Sequence, residues 1–458
     1  SYQFDEASIF DWLQAPVFYA LGDCCKVISF DLTAPVVEGV NGIQVSGWAT
    51  ELNECYSESS PPELFQTLLS RYGPDPKLTG SLEVTNRLSS SKGVSHTVPC
   101  LYQPEQIQRF IESQLQSIDR RTRACIDLIR QESWDLFITL YSETHTAGHI
   151  LWHLSQPHPL NELRQDSNDP LLQIYQAMDH SVGEILKVLD DHVQVVVYTI
   201  DEMVPDSLEN ARAVLLPEFL YRWNFPGKSA LAKGECDAAP PPPRIDYSRH
   251  WKHEVWNLRT RWGNDELESP SEQESREDPM SWCPASWYKP LWPLMKAIAL
   301  PSVADGYIRI NVKGREANGV VDESEFHSVC TRLIDDISGL VNARTGKSIV
   351  REVIRVRESP FDNDPKNPPA DLIVVFYEDG PLDTVDSTLV GRIGPVPYFR
   401  TGAHQSHDSV LENLMLVAAP DATPGKKQLT GQLEDIPATL LAMLGIELPP
   451  DLDGVSRL

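Results

Sequence analysis

The chain has 458 residues, enough for one large domain with an insertion or for two to three ordinary domains. Its 66 acidic and 39 basic side chains give a formal net charge of −27, which argues against general binding to nucleic-acid polymers or anionic membranes. The charge does not exclude a phosphate-containing substrate, because bound metal ions can invert the local field.

The first 200 residues predict alternating strands and helices. Runs rich in β-branched and aromatic residues predict buried strands, and apolar residues at helical spacing predict helices. The predicted strands are 25–32, 134–141 and 194–200, and the predicted helices are 61–73, 104–130 and 171–191. The last two strands end at clusters of His, Asp and Glu. Ligands of open α/β sheets bind at this end of the strands.

The middle of the chain predicts an inserted cap. A proline run at 238–243 is a stiff spacer, and the acidic, aperiodic stretch 264–279 predicts a mobile loop. Six of the 11 tryptophans lie between residues 251 and 292. They either pack the cap, which is the favoured alternative, or form an aromatic wall for a sugar, nucleobase or lipid substrate. We interpret 211–300 as a cap over a core made from 1–210 and 301–458.

The alternation of predicted strands and helices resumes after the cap. The predicted strands are 307–312, 370–378 and 413–420, and the predicted helices are a segment near 322–342 and 434–445. The order of elements predicts an α/β fold with a mainly parallel sheet sandwiched between helices, plus the inserted cap.

Three clusters of polar residues are candidates for chemistry. The first follows the strand 134–141, where His145 and His149 are four residues apart and project from one helix face, a spacing that suits one metal ion. The second is Asp201 with Glu202, a carboxylate pair suited to a hard divalent cation or to a solvated turn. The third is a loop with His404, which could complete the site begun by the first two histidines.

The sequence shows no pattern of a membrane helix, a signal peptide or a disulfide framework. No apolar run approaches the length of a membrane helix, and the first residues lack the pattern of a signal peptide. The 8 cysteines are scattered and contain no CxxC, so we expect reduced thiols and a cytoplasmic location.

The order of motifs resembles the alkaline phosphatase superfamily, in its type I phosphodiesterase and nucleotide pyrophosphatase-like branch. The resemblance spans nearly the whole chain. The matching segments are VNGIQVSGWATE (40–51), WDLFITLYSETHTAGHILWH (134–153), YIRINVKGREANGVV (307–321), ADLIVVF (370–376), RTGAHQSHDSV (400–410) and EDIPATLLAMLGIELPPDLDGVSRL (434–458). The last segment is the most specific, through the spacing of its Asp, Pro and Gly residues.

The resemblance implies two divalent ions, zinc being favoured, across a phosphoryl group. One would be held by His145, His149 and His404, and the other by Asp201 and its neighbour. His145 stands where the family usually has Asp. Glu202 stands where it has His, so the second site would be richer in oxygen and suit manganese, magnesium or iron. Four arginines could contact phosphate, namely Arg309, Arg315, Arg392 and Arg400. Arg400 is the favoured candidate, because it is close to His404 in the sequence.

Two functions compete at this point. The first is metal-dependent hydrolysis of a small-molecule phosphate ester, as a phosphohydrolase or phosphodiesterase. The family's opening segment, which carries a Ser or Thr nucleophile, has no counterpart here, so the nucleophile is not in this chain. Either an upstream segment supplies it, or the covalent step is lost and a metal-bound hydroxide attacks the ester directly. The alternative is a degenerate family member, a pseudoenzyme that acts as a binding or scaffold protein.

Overall fold

The predicted strands and helices form at the expected places. The structure, a computed structural model, describes residues 24–32, 36–48, 58–74, 76, 100–164, 167–200, 202–206, 209–243, 251–276, 278, 280–302, 305–364, 367–377, 380–404, 414–419, 425, 431–450 and 452–457. The helices are α1 (Glu63–Tyr72), α2 (Pro104–Gln131), α3 (Glu143–Ser155), α4 (Pro170–Leu186), α5 (Leu216–Asn224), α6 (Trp251–Trp256), α7 (Arg261–Glu266), α8 (Pro270–Ser275), α9 (Pro284–Trp287), α10 (Phe326–Ser338) and α11 (Asp435–Met443). A π-helical turn, Ala211–Leu215, leads directly into α5.

Fourteen strands are present in the described part of the chain. They are β1 (Val27–Phe30), β2 (Gly42–Ser46), β3 (Glu58–Ser60), β4 (Leu136–Thr139), β5 (Val195–Tyr198), β6 (Met203–Pro205), β7 (Ala297–Leu300), β8 (Gly306–Ile310), β9 (Val341–Asn342), β10 (Val350–Arg355), β11 (Leu372–Phe376), β12 (Val385–Asp386), β13 (Gly402–His404) and β14 (Met415–Ala418).

The strands form several small sheets. One sheet has the order β3-β2-β1-β4, in which β1 pairs parallel with both β2 and β4. A second sheet, β10-β11-β8-β7, is antiparallel throughout. The two-stranded ladders β9/β12, β6/β13 and β5/β14 are antiparallel as well. The chain is therefore a mixed α/β protein, as predicted, but a mainly parallel sandwich is not confirmed by the strands that the structure describes.

Segments from the first and last thirds of the chain pair and pack with each other. Strand β14 pairs with β5, strand β13 pairs with β6, and Leu441 of α11 packs with Val27 of β1. A different hydrophobic cluster combines the cap helices with β7, β8 and β11. This cluster includes side chains from both sides of residue 300. The division at residues 210 and 300 stays a prediction.

The expectation of a mobile acidic loop over 264–279 is wrong. Helix α8 forms inside this stretch, begun by a capping box in which Ser269 and Glu272 satisfy each other's backbone donors, with Pro270 in the first turn. The side chain of Gln273 is fully buried and is hydrogen-bonded to Ser286. These local hydrogen bonds outweigh the acidic composition on which the prediction depended.

Most of the cap tryptophans pack the interior. Trp251, Trp287 and Trp292 are buried, and Trp256 and Trp282 pack partly buried against the same cluster. This agrees with the favoured alternative for the indoles. The seven described cysteines carry no disulfide. No helix in the described ranges combines the length and apolar character needed to cross a membrane.

Candidate metal centre

Three imidazoles converge at one point of the structure. His145 and His149 lie one turn apart on α3, and His404 ends strand β13. One ring nitrogen from each lies within 4.8 Å of the others. The ring centroids are 4.7 Å apart for His145 and His149, 4.6 Å for His145 and His404, and 4.8 Å for His149 and His404. The structure therefore assembles the predicted three-histidine group.

The start of α3 is held by a buried arginine. Arg121 of α2 is fully buried, and its guanidinium lies 2.9 Å from the Asp31 carboxylate at the end of β1 and 3.3 Å from Glu143 at the start of α3. Ser117 donates a further hydrogen bond of 2.7 Å to Glu143. Because Glu143 is two residues from His145, this ion-pair network orients the part of α3 that carries the histidines.

Strand β13 approaches α3 closely, because the residues at the contact, Gly148 and Gly402, have no side chains. A Cβ atom on Gly402 would lie 2.4 Å from the carbonyl oxygen of Gly148, closer than real Cβ contacts allow. The backbone N–H of Thr401 donates to the carbonyl oxygen of His149 at 2.9 Å. Glycine at 402 therefore permits the approach that places His404 beside the two histidines of the helix.

A hydrogen bond to the backbone of Gly402 prepares His149 to bind a metal ion. Its Nδ1 lies 2.7 Å from the carbonyl oxygen of Gly402, which can only accept, so Nδ1 carries the proton. The Nε2 lone pair is then available as a ligand, the arrangement seen for many metal-binding histidines. Burial holds the pKa of His149 well below its ordinary value, and the nearby positive charge of Arg400 adds to this effect. His149 is therefore neutral at neutral pH, the form that binds metals.

The donor set fits a transition-metal ion. Three imidazoles, two from a helix and one from a strand, match the ligands of zinc sites that keep a fourth position open. His145 and His404 are partly exposed, whereas His149 is 4% exposed. The exposure of the group to solvent therefore comes from the rings of His145 and His404.

The second predicted site is not assembled by the described residues. Asp201 lies outside the described residues. Glu202 directly precedes Met203, which pairs with His404 across β6 and β13, but its carboxylate is not part of the converging group. His153, one turn after His149, is fully buried against Thr401 at 3.2 Å and is not part of the group either.

Arg400 stands apart from the other arginines considered as phosphate contacts. Its guanidinium lies over the ring of Phe399, and its Nε is buried without a hydrogen-bond partner among the described residues. The other three arginines are ion-paired at 2.7 Å, namely Arg309 with Glu316, Arg315 with Asp371 and Arg392 with Asp386. Of these side chains, Arg400 has the buried donor that lacks a partner.

Sequence reasoning missed Thr401 and Met203 as neighbours of the site. Thr401 is fully buried, and Met203 packs against Gly148 and Gly402. Both residues adjoin segments that the sequence singled out, but nothing in their type or spacing marks them. Their roles depend on a contact between distant segments.

No protein-family model, curated protein or solved structure matches this chain. The resemblance to the alkaline phosphatase superfamily therefore depends on the quoted motifs alone. Family membership stays a prediction.

Proposed function

We propose that the chain is a metal-dependent hydrolase of a small-molecule phosphate ester, with a divalent ion, zinc being favoured, held by His145, His149 and His404. The observation that supports it is the convergence of three imidazoles within 4.8 Å of one another. One of them has its tautomer set by a carbonyl group 253 residues away in the chain. Such an arrangement has no evident purpose in packing alone.

The chain's own groups have distinct tasks in this proposal. The bound ion would polarise a phosphoryl oxygen and lower the pKa of an attacking water. His149 is held neutral and oriented by Gly402. Arg400, which lies close enough to His149 to affect its pKa, would pair with a phosphate oxygen through its buried Nε. The resemblance would add a second ion at Asp201 and Glu202 and a separate nucleophile.

A binding or scaffold protein is the second candidate. It is favoured by one observation, that Glu202 stands where the family has the His ligand of its second ion. A single three-histidine ion without a second carboxylate-rich site would then support the structure or bind a ligand without turnover.

Metal analysis of the purified chain tests the proposal first. We expect about one zinc ion per chain by inductively coupled plasma mass spectrometry, and loss of that ion in His149→Ala. His180→Ala is the matched control, because His180 is an exposed histidine on α4. Absence of bound metal, with no rise in melting temperature on adding zinc or manganese, would contradict the metal centre.

Activity assays then separate the two candidates. We expect the metal-loaded chain to hydrolyse p-nitrophenyl phosphate or bis-p-nitrophenyl phosphate, and Arg400→Met to lower kcat/KM by roughly tenfold or more without loss of metal. Stoichiometric metal without hydrolysis of either ester would favour the binding protein.

A further inference from the structure

The side chain of Met203 lies against α3 and β13, the two elements that carry the three histidines. Met203 is directly opposite His404 in the antiparallel β6/β13 ladder, so both side chains project from the same face of the ladder. Its Cε, Cγ and Sδ atoms lie 2.9, 3.1 and 3.5 Å from the position that a Cβ atom on Gly148 would occupy. The thioether therefore fills the space that a side chain at residue 148 would take.

Residue 148 lies on the same face of α3 as His145, because it follows His145 by three positions and residues three or four apart share a helix face. It directly precedes His149 in the chain. The Cγ atom of Met203 also lies 3.2 Å from the Cβ position of Gly402, two residues before His404. The thioether is thus placed between the strand and helix segments that carry the three imidazoles.

We infer that the Met203 thioether is a fourth, soft donor at the three-histidine centre, and that the centre binds copper(I) as well as zinc. This inference rests on the metal centre of the proposed function and adds a ligand and an ion to it. Nothing in the sequence patterns or in the resemblance assigns a role to this methionine.

The chemistry of the donors supports a monovalent soft ion. Thioether and imidazole groups are donors that copper(I) accepts, whereas zinc takes thiolate, imidazole and carboxylate. Among the residues that the structure describes, the converging group contains imidazoles and no carboxylate. Imidazole and thioether donors carry no charge, so they do not neutralise the charge of the bound ion. The free-energy cost of holding an uncompensated charge is smaller for a monovalent ion than for a divalent one. Glu143, the carboxylate nearest in sequence to His145, is ion-paired with Arg121.

Competition titrations with metals alone test this inference. Copper(I) affinity is measured without oxygen against bathocuproine disulfonate, and zinc affinity against a chromophoric chelator, for the wild type and Met203→Leu. Leucine keeps most of the volume and removes the sulfur. Met280→Leu is the matched control, because Met280 packs partly buried against the separate cap cluster.

We expect Met203→Leu to weaken copper(I) binding roughly tenfold or more and to leave zinc binding within about twofold, a loss in the range seen when a group that tunes a metal site is removed. Equal copper(I) affinity in the wild type and Met203→Leu, with zinc still bound, would overturn the role of Met203 while leaving the three-histidine centre intact. Failure of the wild type to bind either ion would instead remove the centre itself.

Copper X-ray absorption of the wild-type protein gives a result that is independent of how the variant folds. We expect one sulfur scatterer together with nitrogen scatterers in the copper(I) form. A first shell of nitrogen or oxygen alone would overturn the inference.

Discussion

Gly402 acts at the candidate metal centre through its backbone alone. Its carbonyl oxygen accepts the hydrogen bond from His149 Nδ1, and its missing side chain lets the backbone of β13 approach α3 at Gly148. Both effects act on the same face of α3. One residue without a side chain therefore sets the tautomer of one ligand and the position of another, His404.

Gly402→Ala is expected to weaken zinc binding by at least roughly tenfold, because its methyl group would meet the carbonyl oxygen of Gly148 at 2.4 Å and push β13 from the helix. Zinc affinity by chelator competition measures the effect. Gly183→Ala is the control, since that glycine lies in α4 with nothing near its Cβ position, and we expect its zinc affinity to stay unchanged. Wild-type affinity in Gly402→Ala would contradict this account of the packing.

At the scale of elements, Arg121 joins three parts of the fold. It extends from α2 to Asp31 at the end of β1 and to Glu143 at the start of α3, and all three side chains are buried. Its guanidinium also lies within 5.4 to 5.9 Å of the ring centroids of Tyr141, Trp48 and Phe30. The positive charge of Arg121 is balanced by the two carboxylates beside it. Removal of Arg121 would leave both buried carboxylates without a positive partner.

Arg121→Met is expected to lower the free energy of unfolding by about 3–5 kcal/mol, the cost of leaving buried charges without their partner. Urea denaturation followed by circular dichroism measures it. Arg123→Met is the matched control on the same helix, because the pair of Arg123 with Asp119 is exposed and is expected to contribute less than about 1 kcal/mol. Similar losses in both variants would show that Arg121 is not a structural link.

At the scale of the whole molecule, two buried histidines make stability depend on pH. His153 and His158 have ring centroids 6.3 Å apart, and His158 also contacts Tyr398. Burial lowers the pKa of His153 to about 3, with the neighbouring His158 adding to the shift, and burial lowers the pKa of His158 to about 4. In the unfolded chain both titrate near 6.5, so the unfolded state binds more protons below that pH. Stability is therefore present above pH 6.5 and is lost as the pH falls towards 4.

His158→Asn is expected to make this loss shallower, by about 2 kcal/mol between pH 7 and pH 5, because one buried group no longer gains a proton on unfolding. Asparagine can still accept the hydrogen bond that Leu160 N–H donates to His158 Nδ1. Urea denaturation at the two pH values measures the difference. His180→Asn, at an exposed histidine, is the control and is expected to keep the wild-type slope.

The amino-acid sequence by itself determined where the helices and strands form and which histidines could bind a metal ion. β-branched runs and helical spacing predicted β1, β4, β5, α2 and α4, because side-chain period follows directly from backbone geometry. The pairing of His145 with His149 is local for the same reason. The start of helix α8 is also determined locally, by the capping box of Ser269 and Glu272, although the acidic composition of this stretch predicts a loop.

Only the tertiary structure decided how distant segments meet. The pairing of β6 with β13, the close approach of Gly148 and Gly402, and the positions of Thr401 and Met203 all depend on contacts across some fifty to 250 residues. Such contacts leave no period in the sequence, because they are selected by packing and by satisfaction of buried backbone groups. The histidines could be named from the sequence, whereas the geometry that makes them one centre is a property of the folded chain.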